Sequence, residues 1–298
     1  MRIAVLLSTY NGRHYLPAQL ESLANQTIAE NITVYIREDG GPDDVSDIVR
    51  QWENKIHIDY FRGENLGPAK SFWSLLMDER IQADYYAFCD QDDVWDRDKL
   101  EIAVSKLNEA THFYACNCRL IDGQGALIKD LYQETAPELS IPRLFVAGVV
   151  QGCAMVFSHE LRCSLIEKKL QCVPMHDIVV MLHALEYGNV VWDQEARFSY
   201  RVHSNNVVAR ENKSFVKKLR TTWWNWKNSS RNSMSDVARE PLATSDTLPE
   251  KSITFLTLMS NYRSSFRAKI KLLLWRHENE IPFRVLRSYW LRLLVNML

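Results

Sequence analysis

The chain is expected to adopt an α/β fold, with a mostly parallel central sheet carrying helices on both faces and a helical extension at the C-terminus. Three observations point to it. Short apolar runs alternate with amphipathic stretches through the first half, acidic residues recur where the second and fourth apolar runs end, and charge divides sharply along the chain. "RIAVLLS" reads as a first strand and "YLPAQLESLANQ" as a helix. "NITVYIRED" is a second strand, "VSDIVRQWEN" a helix, "KIHIDYFR" a third strand and "GPAKSFWSLLMDE" a helix, before "YYAFCD" as the fourth strand. Such βα alternation builds parallel sheets covered on both faces, and ligands then bind beyond the carboxyl ends of the strands. Asp39 and Asp90, ending the second and fourth strands, are expected on one rim. Further on, "FYACNCRLID", "GCAMVFS", "NVVWD" and "ARFSYRVH" read as strands, and "VPMHDIVVMLHALEYG" as a helix opening near His176. The polar stretch 228–251 reads as a linker or mobile loop.

At 298 residues and 46% hydrophobic, the chain can bury one large core or two unequal ones. Its net charge of -1 conceals an acidic body and a basic tail. Residues 1–209 hold 19 Lys and Arg against 30 Asp and Glu, whereas residues 210–298 hold 17 against 7. The six cysteines form no CxxC pair and several fall inside apolar runs, as core thiols in a reducing compartment do. The apolar run in "MRIAVLLSTYNG" is too short for a signal peptide or a membrane span, so a folded strand in the cytoplasm is expected there.

The densest chemical signal is "DQDDVWDRD", five aspartates between Asp90 and Asp98. Asp96 and Asp98 are explained by a helix start, where acidic residues are favoured. Asp90, Asp92 and Asp93 are left over at the mouth of a buried strand, and their mutual repulsion falls if they face a cation. Hard oxygen ligands of this kind suit Mg²⁺ or Mn²⁺ carrying a substrate diphosphate. No GxGxxG follows the first strand, and no GxxxxGK, GxSxG or HExxH occurs, so phosphate held on a glycine turn is excluded, as are two familiar hydrolase motifs.

"LLSTYNGRHYLPAQLESLANQT", "REDGGPDD", "NLGPAKSF", "FCDQDDVW", "MHDIVV" and "YRVHSNNV" together resemble, in order and spacing, the family 2 inverting glycosyltransferases with the GT-A fold. More narrowly, the chain resembles bacterial rhamnosyltransferases of O-antigen and polysaccharide assembly. The resemblance covers about residues 1–210. It implies a catalytic domain over 1–212 and a basic, Trp-rich helical region over 213–298. It further implies nucleotide-sugar contacts at Thr9, Tyr10, Asp39, Asn65, Gly67, Asp90 and Gln91, metal ligation by Asp92 and His203, and a catalytic base at Asp177. Asp39 is expected to accept a hydrogen bond from N3–H of uracil or thymine, and a helix N-terminus to keep Asp177 ionised. Trp95, Gln151, Gly152 and His176 are expected on the acceptor side.

The implied reaction is metal-assisted, with Mg²⁺ or Mn²⁺ as cofactor, and inverts the donor's anomeric centre. The donor implied is dTDP-β-L-rhamnose, with a UDP-sugar as the alternative, and the acceptor a polyprenyl-diphosphate-linked saccharide. The tail interleaves Trp223, Trp224 and Trp226 with Lys217, Lys218, Arg220 and Lys227; near the end Phe283, Leu286, Trp290, Leu293, Leu294 and Met297 fall at helical spacing among arginines. Basic faces with aromatic anchors suit an anionic membrane surface, here the inner face of the cytoplasmic membrane; packing on the body or a homodimer contact is the alternative. No nucleic-acid-binding module accompanies the charge. A sugar nucleotidyltransferase, which needs a glycine-rich basic N-terminal loop, and a non-catalytic scaffold are the competing functions.

Overall fold

A computed structural model describes residues 1–148, 150–170, 172–203, 234–245, 248–277, 281–296 and 298. Met297 and the tryptophans and basic residues of 217–227 lie outside the described residues. β1 (Ile3–Thr9) and β4 (Tyr85–Asp90) are nearly continuous apolar runs because both faces are covered, and they form the buried centre of a nine-stranded sheet. β2 (Ile32–Glu38) pairs parallel with β1, and β3 (His57–Arg62) forms the edge with the half-exposed alternation of an outer strand. Between them run α1 (Leu16–Ala24), α2 (Ser46–Trp52) and α3 (Pro68–Met77).

Only this half of the sheet is wholly parallel. β8 (Met155–Ser158) runs antiparallel between β4 and β6 (Thr111–Ile121), while β9 (Asn189–Arg201) lies parallel to β6. Two small strands complete it: β5 (Val94–Trp95) antiparallel to β9, and β7 (Leu127–Lys129) antiparallel to β6. The expected strands "NVVWD" and "ARFSYRVH" are one 13-residue strand, whose register slips against β6 absorb the polar residues between them.

α4 (Lys99–Lys106) follows β5. Asp98 occupies its N-cap position without a side-chain capping bond, and Asp96 instead makes a two-pronged ion pair with Arg119 at 2.5 and 2.7 Å. The helix-start explanation of these two aspartates therefore gives way to an ion pair in the case of Asp96. α5 (Ile141–Ala147) and α6 (His159–Glu167) start on the hydroxyls of Ser140 and Ser158. α7 (His176–Tyr187) follows.

Part of the expected linker is structured. Residues 234–244 form α8 (Met234–Val237) and α9 (Arg239–Thr244), because Val237 and Ala238 supply a small buried face that the polar window masks. α10 (Glu250–Asn261) packs against both, and its Phe255 meets Phe145 of α5, with ring centroids 5.8 Å apart. α11 (Phe266–Leu273) and α12 (Phe283–Leu294) end the chain, and α12 also packs on α5. No helix among the described residues is long and apolar enough to cross a membrane.

Candidate active site

The chain leaves β1 for β2 on one side and reaches β4 on the other, so a crevice opens beyond the carboxyl ends of β1 and β4. Thr9 and Asp90 stand at those strand ends, and Asp39, just past β2, lies beside them, its amide donating to the Thr9 carbonyl at 2.8 Å. Ser8 is the register partner of Asp90, which fixes the "DQDD" turn beside the β1 loop.

Gln91 holds that loop. Its Oε1 accepts from the Thr9 hydroxyl at 2.6 Å and from the Tyr10 amide at 2.9 Å, and its Nε2 donates to the Tyr10 carbonyl at 3.0 Å. Thr9 is fully buried, so Thr9 and Gln91, both expected to touch nucleotide, spend these polar atoms on each other and on the loop. Tyr10 remains 47% exposed. Gly12 is required beside them, since a Cβ there would lie 2.2 Å from Gln91 Oε1.

Asp39 sits at the rim but faces inward. Its Oδ1 receives Arg37 and the Leu66 amide (2.9 Å), and its Oδ2 the Gly67 amide (2.8 Å). Asp39 thereby holds the Asn65–Gly67 loop, and what it offers a base is the lone pair left on Oδ2. Arg37, which also reaches Ser71 and the Glu64 carbonyl, is the partner that sequence reasoning missed. It occupies the alternate position of a short strand motif, where a salt bridge two residues apart leaves no periodic trace.

The three leftover aspartates separate. Asp92 Oδ2 lies 2.7 Å from His203 Nε2, and both side chains are about 15% exposed, so a pair 111 residues apart in sequence meets at the open face. β5 causes this meeting by pinning the aspartate turn to β9 at Val94–Ser199 and Trp95–Phe198. Arg201 reinforces it: its amide donates to Asp93 Oδ1, its Nε to the Asp92 carbonyl at 2.8 Å, and its guanidinium lies over Tyr15, whose ring stacks on His203. Asp93 is wholly buried and its Oδ2 has no hydrogen-bond partner among the described residues. Asp90, Asp93 and Cys153 bring ligand atoms within 4.8 Å of one another. Burial and the neighbouring carboxylates push the pKa of Asp90 and of Asp93 upward.

These residues fit a hard divalent cation. Asp92 and Asp90 offer carboxylate oxygens and His203 an imidazole, and an acidic cluster with a buried, unpaired oxygen gains most from a positive charge. Cys153 is a poor ligand for such an ion, because burial holds its thiol far above the usual range and therefore protonated.

Asp177, in the first turn of α7, accepts from the Ile178 amide at 2.7 Å. Burial overrides the helix terminus expected to keep its pKa low and raises it to about 6. The group is still ionised about ten to one at pH 7. His176 lies beneath, 5% exposed and stacked on Phe72 at 4.3 Å; burial lowers it to about 3, so it is neutral. Gly152 makes room for it, since a Cβ would stand 2.8 Å from His176 Nε2. Gln151 is half-buried beside them. Trp95 departs from the acceptor side altogether: it is 3% exposed, with the Lys99 ammonium 3.4 Å from its ring centroid.

A crevice beyond the strand ends, with an acidic turn and the carboxylate of Asp177 near enough to raise the pKa of Asp90, suits a sugar-transferring enzyme, and comparison with known proteins agrees. The sequence model of the family "Glycosyl transferase family 2" matches residues 4–160, and the chain belongs to that family. It is a glycosyltransferase. It is 28% identical over 220 residues to the dTDP-rhamnosyl transferase RfbG of Shigella flexneri, a match covering 68% of this chain and 73% of that one. It is also 28% identical over 131 residues to an uncharacterized glycosyltransferase of Rickettsia bellii, covering 44% of this chain but only 19% of the relative. Among solved structures, S. aureus TarS in complex with UDP-GlcNAc superposes with a TM-score of 0.62 at 19% identity, over 100% of this chain and 80% of that one. The mannosyltransferase PcManGT of Pyrobaculum calidifontis, with GDP-Man and Mn²⁺, gives 0.58 at 14%, over 99% and 85%. These likenesses establish the GT-A fold.

The raised carboxylates have a consequence for stability. The folded values of Asp90, Asp93 and Asp177 lie above the unfolded carboxylate range, so the folded state binds more protons and is stabilised as pH falls. For Asp177 the effect is fully present below about pH 4 and is lost as pH rises through about 6. Buried His176 works the other way, because its lowered value makes the folded state lose stability below about pH 6.5, but three raised carboxylates outweigh one imidazole. The metal-free protein is expected to melt at a higher temperature at pH 5.5 than at 7.5, with Mn²⁺ shrinking the difference; a melt that rises with pH contradicts that balance.

Proposed function

We propose that this glycosyltransferase moves a sugar, with inversion, from a nucleoside diphosphate donor to a hydroxyl of a lipid-linked saccharide during surface-polysaccharide synthesis. The observation that carries the reading is the Asp92–His203 pair, held open at the crevice by Arg201, with the near-neutral carboxyl of Asp177 in the same acidic cluster as Asp90. Asp92 and His203, with Asp90 beside them, would hold a divalent cation. Bound there, Mg²⁺ or Mn²⁺ supplies neutralisation of the charge that builds on the departing diphosphate. Asp177 takes the proton of the acceptor hydroxyl as that oxygen attacks the anomeric carbon from the opposite face, and its pKa near the working pH suits a general base. Tyr10 and the Asn65–Gly67 loop face the nucleoside. The donor we favour is dTDP-β-L-rhamnose, supported by the similarity to the Shigella enzyme, and the product would be an α-L-rhamnoside. A UDP-sugar is the second reading, favoured by the likeness to a structure holding UDP-GlcNAc.

The C-terminal helices support docking at the inner face of the cytoplasmic membrane. Phe266, Ile270 and Leu274 form one exposed stripe at helical spacing on and just past α11, and Phe283, Leu291 and Leu294 stand exposed on α12. Lys269 Nζ reaches the Leu294 carbonyl at 3.5 Å, which brings the two groups together, and Arg267, Lys271 and Arg287 flank them. An apolar stripe bordered by cations is suited to an anionic bilayer.

Two measurements check these readings. Asp177→Asn is expected to lower kcat by about 10³ while leaving nucleotide binding intact, Asp92→Asn to abolish metal-dependent turnover, and the wild-type kcat/KM to fall below about pH 6. Normal turnover in both variants removes the assigned roles. In flotation with phosphatidylglycerol vesicles, Phe266→Ser/Leu274→Ser should stay with the soluble fraction while wild type floats; equal flotation removes the membrane face.

A further inference from the structure

Arg37, near the end of β2, and Asp39, just past it, form an ion pair in which both side chains are buried. The chain makes room for the guanidinium: a Cβ on Gly63 would stand 2.6 Å from its Nη2. Nη2 donates to the Glu64 carbonyl at 2.7 Å, and Nη1 donates to Ser71 Oγ at 2.9 Å and to Asp39 Oδ1. Ser71 is held in turn by Ser8 Oγ, 2.6 Å away. Stability alone does not call for such a pair, because well-packed apolar residues of similar volume often serve a core as well.

Arg37 changes what Asp39 can offer. Each carboxylate oxygen accepts at two positions. Oδ1 uses both, on Arg37 and on the Leu66 amide at 2.9 Å, and Oδ2 uses one, on the Gly67 amide at 2.8 Å. A single acceptor position is left, on Oδ2. Contacts place it beside the residues assigned to the nucleoside. The Asp39 amide donates to the Thr9 carbonyl at 2.8 Å, a Cβ on Gly41 would lie 3.4 Å from Tyr10 Cδ2, and one on Gly40 would stand 2.5 Å from the Asn65 amide nitrogen. Tyr10 and Leu66 keep 47% and 41% of their surface exposed beside this turn.

One acceptor position discriminates between bases. The pairing edge of uracil or thymine carries one donor, N3–H, whereas guanine carries two side by side, N1–H and N2–H, which need both oxygens of a carboxylate. Asp39 is buried, so a base edge that meets it leaves water behind, and with Oδ1 taken one guanine donor stays unpaired. We propose that Arg37 sets base choice at the donor site: by holding Oδ1 of Asp39 it leaves room for one N–H, admitting a uracil or thymine nucleoside diphosphate and turning guanine away. Arg37 is a positioning residue, acting through Asp39 without touching the base. The inference rests on the nucleoside diphosphate donor proposed above and names the residue that narrows it.

The test titrates the full chain with UDP, dTDP, GDP and inorganic pyrophosphate, each with Mn²⁺. Wild type should bind UDP and dTDP about tenfold or more tightly than GDP. Arg37→Met should bring GDP to within about threefold of UDP, with pyrophosphate affinity unchanged. Ser71→Ala loosens the guanidinium but keeps its charge; it should shift the ratio the same way by a smaller factor, and it carries the test if Arg37→Met does not fold. Arg62→Gln, which removes an arginine paired with Glu38 and bonded to the Gly41 carbonyl, should leave the ratio as it is. A UDP-to-GDP ratio unchanged in both Arg37→Met and Ser71→Ala, or shifted equally in Arg62→Gln, overturns the proposal. So does a loss shared equally by all four ligands, which is what a merely structural arginine gives. A wild type that binds GDP as tightly as UDP overturns base selection and leaves the diphosphate site standing, whereas one that binds none of the four removes the donor site itself.

Discussion

Uncompensated negative charge at the carboxyl end of β4 is the constraint around which this molecule is organised. Asp90, Asp92, Asp93 and Asp177 meet where a parallel half-sheet gives way to a mixed one, and burial raises the pKa of three of them. A protein that merely needed stability would place apolar residues there, because buried carboxylates without a counter-charge are unfavourable. The structure instead spends β5, Arg201, Tyr15 and Gln91 on fixing the aspartates in place. Fixed, mutually repelling carboxylates of this kind suit the cation and diphosphate proposed for the site.

The parallel half was legible because a fully buried strand leaves a continuous apolar run and its helices keep their period. β1 to β4 and the helices between them all stand where the alternation places them. The second half was less so. β5 has two residues and no pattern of its own, so nothing local announced that it ties the aspartate turn to β9. α6 starts directly from β8, and α8 and α9 bury so few residues that polar composition concealed them. Parallel pairing of β6 with β9 depends on contacts about 80 residues apart, which no window detects.

At the site, residue type and spacing located the acidic turn, the family resemblance located the distant His203, and the two meet. What composition could not convey was direction. Asp39 and Gln91 stand at the expected rim yet turn their polar atoms onto neighbouring loops, and Trp95 turns into the core under Lys99. A strand reverses the facing of its side chains at each residue, so a motif fixes position without fixing which neighbour is met. Asp177 shows a related limit: its place at a helix N-terminus was visible, but the burial that outweighs the helix's effect depends on α3 and the Gly152 turn packing around it.

The most direct test of an aspartate turn built for a cation and a nucleoside diphosphate is a thermal-melt panel of dTDP, UDP, GDP and CDP, each with and without Mn²⁺. Stabilisation by dTDP or UDP that requires the metal, and that disappears in Asp92→Asn, is the predicted result. Equal stabilisation without metal, or a preference for GDP, would contradict it.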